Sequence, residues 1–170
     1  KPLLIKRALP DYTSPISPEE LAGLACEEGV ESRLIEEHAK NNTWQVRYGP
    51  FKETDFTSLP DSHWSLLIQA VDHHIPKLSQ LLEQFSFIPN WRIDDLMISY
   101  APAHGSVGPH LDNYDVFLLQ VEGRRHWHIN ENDYTEDDYI DDLDLKILKS
   151  FESQEDWVLE PGDMLYLPPD

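Results

Sequence analysis

From Ile93 onward the chain is written as short β-forming runs separated by turn residues, and this pattern limits the fold more than any other feature. Runs at 93 to 100, 114 to 121, 125 to 130, 145 to 151, 156 to 160 and 163 to 167 are rich in β-branched and aromatic residues. Short strands at such spacing belong to a sandwich or a barrel. Glu122-Gly123 lies between two of them, so residues 114 to 121 and 125 to 130 are expected to pair antiparallel. Upstream the signals are helical. Ser17, Pro18 and Glu20 supply an N-cap, a proline at the first helical position and a capping-box acid, which predicts a helix to about Glu28. Trp64, Leu67, Ile68 and Val71 recur at i, i+3, i+4, i+7 after Asp61-Ser62 and predict a second. Pro76 opens a third, with Leu78, Leu81 and Leu82 on its apolar stripe. The expectation is mainly β with N-terminal helices: a helical part over about 1 to 90 and barrel strands over about 91 to 170. No repeat or linker divides the chain.

One run carries ligand-type side chains at its entrance. His110-Leu111-Asp112 follows the loop-forming His104-Gly-Ser-Val-Gly-Pro109 and precedes the apolar strand from Tyr114. Residues two apart on an extended segment project to the same side, so one imidazole and one carboxylate can meet a single metal ion. A third His from elsewhere would complete the 2-His-1-carboxylate facial triad of non-haem Fe(II) oxygenases. With 8 His and 17 Asp in 170 residues, roughly 0.8 His-x-Asp triplets arise by chance, so the context rather than the spacing carries this reading. No later segment offers the third His at a believable place.

Arg125 adds a second constraint. Alternation on its strand separates Arg125, Trp127 and Ile129 from Arg124, His126 and His128, and one of these rows faces inward. A buried guanidinium is costly unless it meets an anion, which it binds in bidentate fashion.

Taken together, Gly-Pro-His110-x-Asp112-x-Tyr114-Asp-Val-Phe, Gly123-Arg-Arg125-x-Trp127 and Glu160-Pro-Gly162-Asp163-x-Leu-Tyr166-x-Pro168-Pro169 resemble the bacterial JmjC-type ribosomal oxygenases. Lys1-Pro-Leu-Leu-Ile-Lys, Ser17-Pro-Glu-Glu-Leu-Ala-Gly-Leu-Ala and Glu31-Ser-Arg-Leu-Ile resemble the N-terminal part of the same family. The resemblance implies a double-stranded β-helix (cupin/JmjC-like) barrel, incomplete at its C-terminus. It also implies Fe(II) held by His110 and Asp112, 2-oxoglutarate held through its distal carboxylate by Arg125, and O2 as oxidant. The implied reaction is hydroxylation of an arginine in a large-subunit ribosomal protein. In the family the distal His follows the Pro-Pro turn by a few residues. The 170 residues are therefore expected to be the N-terminal portion of a longer, homodimeric enzyme and to be inactive alone. Ser99, a small hydroxyl in the Leu96-Met97-Ile98 strand, is a further expected 2-oxoglutarate contact.

The net charge of −19 fits a partner of opposite sign. Such a surface repels nucleic acid and attracts basic proteins. The densest part, Glu131 to Asp144, holds eight acids and no Lys or Arg. It is expected either as a solvated loop or as a docking surface for a Lys/Arg-rich ribosomal protein. Cys26, the only cysteine, excludes an internal disulfide and is expected in a helix as a small core residue. No apolar run approaches the length of a membrane span, which leads to the expectation of a cytoplasmic domain. His73 and His74, helix neighbours, cannot converge on one ion. His126 and His128 share a strand face but have no carboxylate nearby in sequence.

Three alternatives belong to other classes or other substrates. A non-catalytic cupin-type binding domain would need the barrel without the metal. An acidic adaptor for a ribosomal protein would need only the charge. A hydroxylase of His, Lys or Asn would keep the chemistry and change the target.

Overall fold

The computed structural model describes residues 1–38 and 43–169. In chain order the elements are β1 (Leu3–Ile5), α1 (Pro18–Leu24), β2 (Ser32–His38), β3 (Thr43–Tyr48), α2 (Glu53–Thr57), β4 (Trp64–Ile68), α3 (Pro76–Leu82), β5 (Ile98–Tyr100), β6 (Val116–Leu119), β7 (Arg125–Ile129), β8 (Glu155–Leu159) and β9 (Met164–Leu167), with short 3-10 turns between some of them. The fold is mainly β with few helices, as the sequence indicates. Three sheets form among the described residues, each with an open strand order. Two compact units emerge, one of residues 15–107 and one of 1–14 with 108–170.

The 15–107 unit is built on an antiparallel sheet in the order β3-β2-β4-β5. Its register sets Ile35 against Val46 and Leu34 against Leu66. Leu34, Leu66, Ile68, Val71, Leu78 and Phe51 form one buried cluster with Leu21 and Ala25 of the α1 region. α1 starts where its cap residues dictate: Glu20 N–H donates to Ser17 Oγ at 3.2 Å and Ser17 N–H donates to Glu20 Oε2 at 2.8 Å. It ends at Leu24, before the expected Glu28, because the backbone tightens (Cys26 N–H to Gly23 O, Glu27 N–H to Leu24 O) and Gly29 takes φ +84°. Cys26 therefore sits just past the helix, partly buried against the core cluster.

The largest departure from expectation lies in this unit. Residues 1 to 90 are not a helical part alone, since β1, β2, β3 and β4 lie among its helices. Trp64–Ile68 is a strand where its spacing suggests a helix. Ser65, Leu66, Leu67 and Ile68 are all buried, and an inner strand covered on both faces reads as a continuous apolar run whose period cannot be told from a helix. Asp61-Ser62 is no cap there. His63 has φ 67° and turns the chain into β4. The strand expected over 93 to 100 is reduced to its last residues, Ile98–Tyr100.

In the other unit β9 lies between β1 and β6, while β7 and β8 form a separate two-stranded ladder. Residues 114 to 121 and 125 to 130 thus do not pair with each other as expected. The chain does turn at Gly123, φ +65°, but β6 takes β9 as its partner and β7 takes β8. Gln120 extends the first pairing by exchanging backbone bonds with Asp163 and Gly162. A turn is compatible with either partner, and only the long-range ladder decides. The strand expected over 145 to 151 is absent for a similar reason. Ile147 and Leu148 are buried, yet the segment makes only an isolated antiparallel bridge, Tyr139 opposite Leu148, while Leu148 N–H turns to Pro109 O, so no ladder develops.

Ile129, Leu159 and Leu165 form a small buried cluster, flanked by Leu4, Leu118, Trp127, Trp157 and Leu167. A polar clamp supports it. The Asp163 carboxylate, only 3% exposed, accepts from Lys6 Nζ at 2.7 Å and from the N–H groups of Arg7 and Glu160 at 2.9 Å each. The Lys6 ammonium, helped by these backbone donors, lowers the pKa of Asp163 to about 2. The turn beneath it needs Gly162. At φ +90°, a Cβ there would stand 2.8 Å from the Cα of Pro10.

Candidate metal and co-substrate site

His110 and Asp112 lie on the irregular segment that leads into β6, not on a strand. They nevertheless converge, with His110 Nε2 3.7 Å from Asp112 Oδ2. Local packing holds the segment in place. Gly108 takes φ +77°, and a Cβ at this position would meet Ile147 Cγ2 at 2.8 Å. Pro109 O accepts from Leu148 N–H at 2.8 Å, which ties the loop down just before His110. The imidazole is oriented too. Its Nδ1 lies 2.9 Å from Gly108 O, and a carbonyl can only accept, so the proton sits on Nδ1. In the neutral ring the Nε2 lone pair then faces Asp112, as metal-ligating histidines require.

Arg125 opens β7 opposite Leu159. Its row is the inward one: Arg125 and Trp127 are half-buried and Ile129 is buried, while Arg124, His126 and His128 are exposed. Burial lowers the Arg125 pKa from its usual range, and no carboxylate among the described residues offsets the loss of solvent. A half-buried guanidinium with no carboxylate beside it among the described residues is open to an incoming anion. Ser99, on the edge strand β5 and paired in register with Leu67, is exposed and belongs to the 15–107 unit.

Two further features bear on chemistry. Tyr166 donates to Asp115 Oδ1 at 2.6 Å, and that bond raises its phenol pKa. On the outward face of β7, His126 and His128 lie beside Asp156 of β8. The carboxylate that seemed missing from this His-x-His pair comes from across the ladder, where register sets Asp156 opposite His128. Sequence reading missed it because 28 residues separate the partners. The acidic stretch is also less bare than it reads. Lys146 reaches Glu136 at 2.7 Å and Lys149 reaches Asp141 at 3.1 Å. Asp133, Asp137, Asp142 and Asp144 remain exposed.

The donor set at His110 and Asp112 fits a divalent cation. One nitrogen lone pair and one carboxylate oxygen face each other, and no Lys or Arg among the described residues pairs with Asp112. The half-buried guanidinium of Arg125 fits a carboxylate of a small acid. Fold and site together define a cupin-type domain suited to a metal and an acidic co-substrate. Residues 80–170 match the JmjC domain, and the chain belongs to that family. Over 169 residues it is 46% identical to the Escherichia coli ribosomal protein uL16 3-hydroxylase, covering 99% of this chain and 44% of that protein. The X-ray structure of E. coli YcfD superimposes with a TM-score of 0.91 at 46% identity, covering 99% of this chain and 44% of that one. The structure of YcfD, a ribosomal oxygenase, in complex with cobalt and 2-oxoglutarate superimposes with a TM-score of 0.85 at 45% identity, covering 99% and 42%. The chain thus spans less than half the length of these relatives.

Proposed function

We propose that this chain is part of an Fe(II)- and 2-oxoglutarate-dependent oxygenase that hydroxylates an arginine of a large-subunit ribosomal protein. The observation that carries the reading is the convergence of His110 Nε2 and Asp112 Oδ2 at 3.7 Å, with the imidazole proton held on the far nitrogen. Similarity to a uL16 hydroxylase and to a cobalt and 2-oxoglutarate complex supports the metal, the co-substrate and the ribosomal substrate. In this reading residues 1–170 form one JmjC-like domain, and a His beyond Asp170 supplies the third ligand.

The chain's own residues have separable tasks. The Gly108 carbonyl fixes the tautomer and ring angle of His110, so its lone pair needs no reorganisation to bind a metal. Asp112 contributes negative charge and leaves the remaining coordination positions to small molecules. Arg125, half-buried and with no carboxylate beside it among the described residues, pairs with the far carboxylate of 2-oxoglutarate and sets its orientation. Half-buried Trp127, on the same row, keeps water from competing for that guanidinium. Fe(II), 2-oxoglutarate and O2 together supply the oxidising power for an unactivated C–H bond. Ser99 as a hydrogen-bond donor to the co-substrate is a separate proposal, tested by Ser99→Ala.

The substrate in this reading is basic, and the exposed acids of residues 131 to 144 draw it in from a distance. A cytoplasmic, homodimeric full-length protein without direct nucleic-acid contact completes the proposal. The deciding experiment incubates full-length protein with Fe(II), 2-oxoglutarate and the ribosomal protein, then follows succinate and the addition of one oxygen to the substrate. His110→Ala should abolish both while the circular dichroism spectrum stays unchanged. Undiminished turnover in that variant would remove the iron assignment, and an oxygen on a residue other than arginine would correct the target.

A further inference from the structure

The outward face of β7 carries the most concentrated set of ligand-type side chains outside the site above. His126 and His128 alternate onto the same side of the strand, with ring centroids 4.1 Å apart. Asp156 enters from β8. Its Oδ1 lies 3.7 Å from His126 Nε2 and is hydrogen-bonded to His128 Nδ1. One ligand atom from each of the three lies within 4.8 Å of the others. Bonds of about 2.1 Å to a tetrahedral ion place ligand atoms roughly 3.4 Å apart, so side-chain rotation alone brings these three into range.

We propose that His126, His128 and Asp156 form a second metal site, separate from His110 and Asp112, for a divalent ion that favours imidazole, of the class of Zn2+, Ni2+ or Cu2+. Three arguments converge on it. Two imidazoles and one carboxylate form a donor set that selects such ions over Mg2+ and Ca2+, which demand an all-oxygen shell. The scaffold is regular: the antiparallel register between Arg125–Ile129 and Glu155–Leu159 sets His128 opposite Asp156, so backbone bonding holds the ligands together before the metal arrives. The carboxylate is also anchored beforehand, since Ser153 Oγ donates to Asp156 Oδ1, the oxygen that faces the histidines, at 2.8 Å. On binding, the ion takes the place of the hydrogen bond between His128 and Asp156. Three protein ligands leave the fourth tetrahedral position to water. The ion would bridge β7 and β8 on the face opposite Arg125.

The test uses full-length protein free of metal and of any histidine tag, titrated with Zn2+ by calorimetry and checked by elemental analysis. Wild type should bind one more equivalent than the double variant His126→Ala, His128→Ala. His110→Ala should retain that equivalent, which separates this site from the first. Asp156→Asn keeps a hydrogen-bond acceptor but loses the charged ligand, and should weaken this equivalent at least tenfold. Mg2+ should not compete for it. Equal stoichiometry and affinity in wild type and the double variant would overturn the proposal, as would displacement of Zn2+ from this site by Mg2+ at comparable concentration. Circular dichroism of the variants checks the fold, which substitutions at three exposed positions should leave intact.

Discussion

The two units of this chain are stabilised in different ways, and the difference tracks what each displays. In residues 15–107 a four-stranded sheet buries a continuous apolar cluster around Leu34, Leu66 and Ile68. In residues 1–14 with 108–170 the buried cluster shrinks to Ile129, Leu159 and Leu165, and a buried Asp163 clamp supplements it. The second unit also carries the candidate ligands and the half-buried Arg125. Polar groups that must stay ready for a ligand cannot be used for core packing, so the unit that carries them relies on turns and a charged clamp.

The comparison is tested most severely by truncating the larger core. Leu34→Ala should cost about 2 to 5 kcal/mol of stability, because that side chain is fully buried and its strand pairs on both sides. Denaturant unfolding measures it, and a loss below about 1 kcal/mol would mean that this cluster does not dominate. Next in size is Arg125→Ala. Losing a charge-assisted pair worth about 1.5 to 3 kcal/mol should raise the 2-oxoglutarate needed for half-saturation roughly 10- to 150-fold in full-length protein. Arg124→Ala, at an exposed position on the opposite row, should change it far less. Equal effects would reduce Arg125 to a general electrostatic contribution.

A pH titration sharpens the contrast in support. The pKa of Asp163 is lowered to about 2 in the folded chain, against about 3.9 when unfolded. The unfolded state therefore takes up the proton first as pH falls. The clamp contributes fully above about pH 5, and its contribution declines through pH 4 and is lost near pH 2. The stability gap between wild type and Asp163→Asn should close over that interval. A gap that stays constant would assign the effect to packing. The smallest expected effect is on encounter. Neutralising Asp133, Asp137, Asp142 and Asp144 should slow association with a basic ribosomal protein and flatten its salt dependence, with little change in turnover at saturation. Superimposable salt curves would return the stretch to a solvated loop.

Much of the local structure was legible in the residues themselves. Ser17, Pro18 and Glu20 specify the start of a helix through bonds that span three residues, and the α3 start at Pro76 follows from its fixed φ. That β7 has two rows facing opposite ways is legible from the alternation of Arg125, Trp127 and Ile129 with Arg124 and the histidines, though not which row is buried. His110 and Asp112 could be read as a pair because only Leu111 lies between them.

What tertiary structure alone decided involves partners far apart in the chain. Trp64–Ile68 has the spacing of a helix and becomes a strand, because β2 and β5 bond to its edges and its neighbours bury both faces. The turn at Gly123 is local, but whether β6 pairs with β7 or with β9 depends on a segment some 45 residues away. Asp156 beside His126 and His128 is the same case, a ligand supplied by register. By itself the sequence determined the α1 cap, the turns, the mainly β character and the convergence of His110 with Asp112, all of which rest on interactions within a few residues. The folded chain decided strand partners, burial of the Arg125 row and the outer His-His-Asp cluster, because backbone hydrogen bonding is the same for every residue and only the assembled apolar faces select which strands meet.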